Sequence, residues 1–199
     1  MGNRRSWSVL INSTPTAPVA PTIATWYCFG MGAGISNEPD IESNRGIVEH
    51  PFALRILVHR QELEVRHGGE IRAIFPVSTS KFGIGFEEGS FQTPTGRFVI
   101  ADKIGDGAPL GAIFRGRIPT GEVFSGESAD DLILTRILRL AGRDPENLNT
   151  WDRYIYIHGT NQEDAIGTPA SHGCVRMRNA DIVSLFPMVP IETPVSILA

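Results

Sequence analysis

Cysteine is scarce in this chain, which has only Cys28 and Cys174 among its 199 residues. Two cysteines are too few for a disulfide framework, and a chain with 41% hydrophobic residues can bury one sizeable core without one. Structural zinc sites usually use four ligands at short spacing. His158, His172 and Cys174 offer three ligands, but Cys28 lies far away in the sequence. We therefore expect no metal site.

An excess of positive charge is also missing, and so are long uninterrupted hydrophobic runs. The net charge is -4 and no basic stripe occurs, so the electrostatic signature of a nucleic-acid-binding protein is absent. Pro15, Pro18 and Pro21 interrupt the apolar stretch 9–23. A membrane span needs about 20 apolar residues without such breaks. We expect neither a nucleic-acid partner nor a membrane span, and the sequence specifies no oligomeric state.

Residues 1–50 differ in composition from the rest of the chain. Their proline and glycine content predicts an N-terminal extension with poor order. Arg4 and Arg5 before a mildly apolar run have the pattern of a degenerate export signal. The folded domain is expected over residues 51–199.

Short runs that alternate between apolar and polar residues begin at Phe52. Such alternation is typical of β-strands that bury one face. Gly68 and Gly69 lie between the second and third runs and are a hairpin-turn signal. The pattern predicts a three-stranded meander whose apolar positions are Leu54, Ile56, Val58, Leu63, Val65, Ile71, Ala73 and Phe75.

Turn signals continue along the chain. The glycines and acidic residues of 80–92 predict a surface loop. Thr93-Pro94-Thr95-Gly96 predicts a tight turn that starts the next strand. Residues 130–140 fit a period of two and a period of 3.6 about equally, so they indicate either a strand or a helix. Other strands are predicted at 97–101, 112–114, 153–157 and 195–198.

One short helix is predicted near the C-terminus. Asn179 is a plausible N-cap, and the helix continues to about Phe186, where Pro187 and Pro190 end it. Many short strands with one or two short helices make a mainly β domain.

The candidate chemistry lies in the C-terminal third of the chain. The sequence Ser-His-Gly-Cys-Val-Arg-Met occupies 171–177, and His-Gly-Thr at 158–160 precedes it. One cysteine between a histidine and an arginine, with a second histidine opposite, is the arrangement that nucleophilic thiol chemistry requires. The pattern predicts a cysteine acyltransferase.

The thiol of Cys174 has three sources of activation in this stretch. A free thiol with a pKa of about 8.5 is mostly protonated at neutral pH. His158 can accept the proton, and Arg176 supplies a fixed positive charge. Gly173 permits a turn that aims its own N–H and that of Cys174 at the oxyanion of an acyl-transfer intermediate.

The same residues also have structural explanations. Cys174 alone fits a small buried hydrophobe, since free cysteine is among the most buried residue types. His158 ends an apolar run and fits a hydrogen-bonded core histidine. Arg176 fits a solvated charge, or a contact with a substrate carboxylate or with the loop.

These motifs resemble the L,D-transpeptidase catalytic domain of the YkuD type, including the spacing between the histidine and SHGC. Residues 75–80 and 93–98 resemble that family's early strand and its TPTG hairpin. The resemblance covers about residues 52–199 and makes 51–199 the catalytic domain. It implies a β-sandwich of mixed sheets, and it favours a strand over a helix at 130–140.

The resemblance also implies a reaction. In the family, a cysteine attacks the carbonyl of the third residue of a peptidoglycan stem peptide, expels D-alanine, and passes the acyl group to an amine on another stem. A 3-to-3 cross-link results. Cys174 is then the nucleophile, His158 the general acid/base, and the Gly159 carbonyl the group that orients the imidazole. No cofactor takes part, and the protein belongs in the periplasm or cell envelope.

Further expectations follow from the same resemblance. Carbapenem-like β-lactams should acylate Cys174. His172 is either an active-site wall and hydrogen-bond donor or a residue that orients the loop. Oxyanion or substrate-binding roles are implied for Gly173, His172, Arg176, Ser171 and Thr160.

Two other functions remain open at this point. An L,D-carboxypeptidase or amidase would pass the same thioester to water, and the loop 161–170 would decide which nucleophile gains access. A cell-wall binding module without catalysis would use the same fold.

Overall fold

A computed structural model describes residues 51–199. The expectations for the N-terminal extension, the export signal and Cys28 lie outside the described residues. The strands are β1 Phe52–Leu57, β2 Glu62–His67, β3 Glu70–Pro76, β4 Gly96–Ile104, β5 Ala112–Arg115, β6 Ile118–Val123, β7 Ile133–Gly142, β8 Tyr156–Thr160, β9 Val175–Met177 and β10 Pro194–Leu198. The α-helix is α1 Asn179–Leu185, and 3-10 helices occupy Val58–Arg60, Pro145–Thr150, Glu163–Ala165 and Phe186–Met188.

The strands form one mixed sheet in the order β3-β2-β1-β10-β4-β7, with β8 and β9 beyond β7 and the hairpin β5–β6 paired to the first residues of β7. The pairs β1–β10 and β8–β9 are parallel and the other pairs are antiparallel. A bridge between Ser78, just after β3, and Arg176 of β9 brings the two ends of the sheet together. The mainly β fold with a mixed sheet and one short α-helix is confirmed.

The meander predicted at the start of the domain is present as β1, β2 and β3. Its second turn uses Gly68 and Gly69 at φ 57° and 85°. Positive φ at both central residues is the turn whose twist suits a two-residue hairpin, and glycine adopts it without a steric penalty.

Residues 133–142 form a strand, as the family resemblance favoured. The mixed periodicity has a physical cause, because β7 is buried along most of its length and contains a bulge. Thr135 has φ 71°, and the pairing of β7 with β8 shifts register between Leu134 and Ile137. A bulge changes which face the following side chains occupy, so strict alternation is lost.

Thr93-Pro94-Thr95-Gly96 does not form the predicted tight turn, although the predicted next strand does start there, at Gly96. Thr93 is fully buried in a bridge with Ile84, and its hydroxyl donates to the Gly173 carbonyl at 3.0 Å. The same oxygen accepts the N–H of Ser80 at 3.0 Å. These bonds hold the segment against the loop that carries Cys174.

The strand that carries His158 is shifted relative to the prediction. We expected 153–157 with His158 at the strand end, whereas β8 is Tyr156–Thr160 and His158 is its central residue. Tyr154 has φ 57° and lies in a turn before the strand. β7 and β9 pair on the two sides of β8, so the backbone of His158 is fixed by both neighbours.

The helix is confirmed, but Asn179 is its first residue and Arg178 is the N-cap. The Arg178 side chain makes no capping bond; the Glu163 carboxylate instead accepts the Asn179 N–H at 2.7 Å. The sequence analysis missed β6 entirely. Its six residues are exposed, so no buried face produced an alternating pattern.

Two buried clusters pack around the sheet. The larger includes fully buried Ile56, Leu63, Ile157 and Ile182 from three strands and α1, and complete burial of each such side chain contributes about 1.5–3 kcal/mol. The smaller consists of Ala112, Phe114, Ile137 and Tyr156, and Cys174 packs against it. Within residues 51–199, no helix has the length and apolar character needed to cross a membrane.

Candidate active site

Cys174 immediately precedes β9, which runs parallel to β8, the strand of His158. Its thiol is free, partly exposed, and points its hydrogen toward the Tyr154 carbonyl at 3.4 Å. Gly173 is buried with φ 114°, and a Cβ there would lie 3.2 Å from Ile155 Cδ1. The close approach and the positive φ both require glycine. The loop therefore presents the thiol in a fixed position.

His158 is buried, and its Nδ1 lies 2.7 Å from the Gly159 carbonyl oxygen. A carbonyl only accepts hydrogen bonds, so Nδ1 carries the proton and Nε2 of the neutral ring has a free lone pair. Burial lowers the pKa of His158, although the Gly159 bond and the charge of Asp131 oppose this. The imidazole is therefore a neutral base at pH 7.

The surroundings of Cys174 favour the protonated thiol over the thiolate. Burial raises the pKa of Cys174 to about 11, against smaller lowering effects of a backbone bond from Tyr156 and of nearby arginines. We predicted activation by a cation, but the free site holds a neutral thiol and a neutral imidazole. Proton transfer to His158 must accompany attack on a carbonyl.

Arg176 is a buried and ion-paired residue of the site. Its side chain is 1% exposed and pairs with the Asp131 carboxylate, and it donates to Gln162 Oε1 at 3.0 Å. The charge of Arg176 lowers the pKa of Cys174, but the charge of Asp131 raises it. The predicted contact with the loop is present through Gln162, whereas a contact with a substrate carboxylate would require Arg176 to leave Asp131.

Asp131 is a site residue that the sequence analysis missed. Its carboxylate accepts hydrogen bonds from Arg176 and from His172 Nδ1, the latter at 3.0 Å. Burial opposes ionisation of Asp131, but the charge of Arg176 and the two hydrogen bonds outweigh it and lower the pKa. No spacing in the sequence indicated this contact, because its partners are 41 and 45 residues away.

Ser171 and Thr160 are buried, and the hydrogen bonds of their side chains are made within the protein, so the oxyanion or substrate-binding roles predicted for them remain predictions. The Ser171 hydroxyl donates to the Cys174 carbonyl at 2.6 Å and accepts the Gly173 N–H at 3.3 Å. Thr160 Oγ1 accepts the Gln162 N–H at 3.1 Å. The first residue shapes the cysteine loop, and the second shapes the start of the loop 161–170.

His172 lies at the mouth of the site, and its side chain is 43% exposed. Its ring is 5.8 Å from Phe82 and 6.0 Å from Phe91, measured between ring centroids. Both phenylalanines come from the loop 80–92, so His172 and this loop form one wall. The position suits the predicted wall and hydrogen-bond donor.

A cleft of about 240 Å³ lies beside this wall. Arg153 holds the opposite side of the loop in place, with donors to Gly85 O at 3.1 Å and Gln92 O at 2.7 Å. The cleft is lined by Glu88, Gly89, Phe91, Asp152, Arg153, Tyr154, Ile155 and His172. It adjoins Cys174 through Tyr154, the acceptor of the thiol hydrogen.

In the part of the chain that the structure describes, no group of three or more His, Cys, Asp or Glu side chains is arranged to hold a metal ion. The Nδ1 atoms of His158 and His172 both bond to protein oxygens.

Comparison with known proteins gives consistent matches. The YkuD L,D-transpeptidase catalytic domain matches residues 53–197. YqjB of Bacillus subtilis is 49% identical over 47 residues, which are 23% of this chain and 27% of YqjB. YkuD of Bacillus licheniformis is 25% identical over 148 residues, which are 74% of this chain and 66% of YkuD.

Solved structures share the fold. L,D-transpeptidase 3 from Mycobacterium tuberculosis, in complex with a faropenem-derived adduct, superposes with a TM-score of 0.51 at 16% identity, over 75% of this chain and 60% of that one. The matches span less than two thirds of these relatives. The domain match nevertheless covers most of this chain, and with it the chain belongs to the YkuD family of L,D-transpeptidase catalytic domains.

Proposed function

We propose that this protein is a cysteine-dependent L,D-transpeptidase that forms 3-to-3 cross-links between peptidoglycan stem peptides through a thioester. The observation that carries the proposal is the geometry of the two reacting groups. The partly exposed thiol of Cys174 heads the strand parallel to that of His158, whose Nε2 is left free by the Gly159 bond. Family membership supports the reaction class.

Acylation begins from the neutral pair. Cys174 Sγ attacks the carbonyl of the third stem residue while His158 Nε2 takes the thiol proton. The imidazolium then gives that proton to the nitrogen of the departing D-alanine, and a thioester remains. Burial of His158 favours this return of the proton, because it disfavours the charged ring.

The main-chain N–H groups of Gly173 and Cys174 are the proposed oxyanion donors. The Gly173 N–H makes only a 3.3 Å contact with Ser171 Oγ in the free protein. Such a long bond is weak, so a negatively charged oxygen competes well for the donor. Preorganised backbone donors of this kind stabilise tetrahedral intermediates strongly.

Deacylation requires an amine from a second stem peptide. His158 removes a proton from that amine as its nitrogen attacks the thioester, and Cys174 leaves as the thiol. The exposed cleft beside His172 is the proposed approach for one of the two peptides. This substrate places the protein in the periplasm or cell envelope.

Acylation by a β-lactam tests the proposal without a natural substrate. The Mycobacterium tuberculosis relative carries a faropenem-derived adduct, and a strained amide resembles the acyl donor. Intact-protein mass spectrometry should show a single carbapenem adduct on the wild type and none on Cys174→Ala. An adduct that persists in the folded alanine variant would place the nucleophile elsewhere.

A further inference from the structure

The proposed acyl donor carries a free carboxylate, and the cation first expected to meet it is not available. D-Alanine leaves with its terminal carboxylate, which is within one residue, roughly 4 Å, of the attacked carbonyl. Arg176 is buried against Asp131. Arg153 is committed to main-chain oxygens of the loop 80–92. A cation that binds this carboxylate would therefore have to come from another element near the thiol.

Arg117 contacts both of the tyrosines that lie next to the thiol, Tyr154 and Tyr156. Its NH1 donates to the Tyr156 hydroxyl at 3.1 Å, and its guanidinium carbon is 5.0 Å from the Tyr154 ring centroid. Tyr154 accepts the Cys174 hydrogen through its carbonyl, and Tyr156 belongs to the cluster against which Cys174 packs. Among the described residues, Arg117 makes no ion pair with a carboxylate.

The backbone of Arg117 is also unusual. Gly116 and Arg117 form the two-residue turn of the β5–β6 hairpin with φ 54° and 71°. Turns with positive φ at both positions favour Asn-Gly, and an arginine in the second position is strained. Strained backbone conformations of this kind cluster at binding and active sites.

We propose that Arg117 binds the terminal carboxylate of the acyl-donor peptide, and so selects donors that end in a free D-alanine. This assignment rests on the proposed L,D-transpeptidase function. From the hairpin, the guanidinium contacts the Tyr154 ring and the Tyr156 hydroxyl, and the main chain of Tyr154 accepts the thiol hydrogen of Cys174. The guanidinium orients the leaving residue and has no part in proton transfer.

The test compares two tetrapeptide donors, one with a free C-terminal carboxylate and one with a C-terminal carboxamide. Release of D-alanine or D-alanine amide gives kcat/KM for each. The wild type should prefer the acid by about 10-fold, the value of one charge-assisted hydrogen bond at a partly exposed site. Because salt screens exposed charges, this preference should fall as ionic strength rises.

Variants of residues in this hairpin separate the effect of the Arg117 charge from the effect of its backbone conformation. Arg117→Gln should lose the preference for the acid, so its kcat/KM should fall about 10-fold more on the acid than on the carboxamide. Arg117→Gly should show the same loss, while its unfolding midpoint in urea stays equal or rises because the strain is relieved. Arg115→Gln, an exposed cation on the same hairpin, should keep the preference.

The outcomes distinguish this inference from the function on which it rests. A preference for the acid that survives in Arg117→Gln, or equal losses on both donors, would overturn the role of Arg117 alone. A wild type that releases the leaving group from neither donor would overturn the proposed function, and the assignment with it.

Discussion

Replacing Asp131 with asparagine removes a negative charge that interacts both with His172 at the mouth of the site and with the buried Arg176. The carboxylate accepts from His172 at the surface and from the buried guanidinium of Arg176. Asparagine keeps the size and one acceptor oxygen but loses the charge. Asp131→Asn therefore leaves a cation almost completely buried without its counter-charge.

The cost can be estimated from the burial of the two partners. Breaking a buried ion pair by removing one charge costs about 3–5 kcal/mol. Asp131 is 30% exposed, and Gln162 continues to accept from Arg176, so we expect the free energy of unfolding to fall by about 2 kcal/mol. That is a large fraction of the stability of a typical domain.

Urea unfolding of the wild type and of two variants measures this cost. Asp130→Asn is the matched control, since the neighbouring carboxylate is exposed. Because the folded pKa of Asp131 lies below the ordinary aspartate value of about 3.9, its contribution is complete above that value and is lost as pH falls through the folded pKa. The difference between the wild type and Asp131→Asn should therefore shrink as pH falls below that ordinary value.

Equal unfolding free energies for Asp131→Asn and Asp130→Asn at pH 7 would refute this reasoning. A difference that does not change between pH 7 and low pH would also refute it, since it would show that the carboxylate's charge is not involved.

Other predictions concern the thiol, the two histidines and the extension. Alkylation of Cys174 by iodoacetamide should accelerate about tenfold per pH unit up to its pKa of about 11, and a plateau below pH 8 would show a preformed thiolate. His158→Ala should lower turnover about 100-fold to 10,000-fold and His172→Ala far less, so equal losses would move the base to His172. The wild type should lose stability below pH 6.5, because the buried His158 ring has a lowered pKa and resists protonation while the unfolded chain accepts it; an unchanged pH dependence in His158→Ala would contradict this. Removing residues 1–50 should leave turnover unchanged, and loss of activity in a folded truncation would assign them a part in substrate binding.

The sequence predicted the fold correctly where the conformational preferences of neighbouring residues determine it. The meander followed from alternation and from a Gly68-Gly69 turn whose positive φ values glycine tolerates. The strand β6 gave no such signal, because an exposed edge strand containing Pro119 and Gly121 needs no buried face.

The features that the sequence did not predict depend on contacts between residues that are far apart in the chain. Thr93-Pro94-Thr95-Gly96 contains turn residues, yet the Thr93 hydroxyl bonds to Gly173, which is 80 residues away. Arg176 was recognisable as a site residue, but its burial depends on Asp131, whose position no sequence spacing reveals. The motif was enough to propose Cys174 and His158 as the reacting pair, whereas the preference of both groups for the neutral form follows from burial.

The most direct test of the central claim is mass spectrometry of the products that the purified protein forms from disaccharide-tetrapeptide muropeptides. If Cys174 catalyses the proposed reaction, we expect 3-to-3 linked dimers and one released D-alanine per dimer with the wild type. We expect neither product with Cys174→Ser. Wild-type reactions that yield only tripeptides would identify a carboxypeptidase that passes the thioester to water. Dimers formed at the wild-type rate by a folded Cys174→Ser variant would contradict a thioester mechanism at this residue.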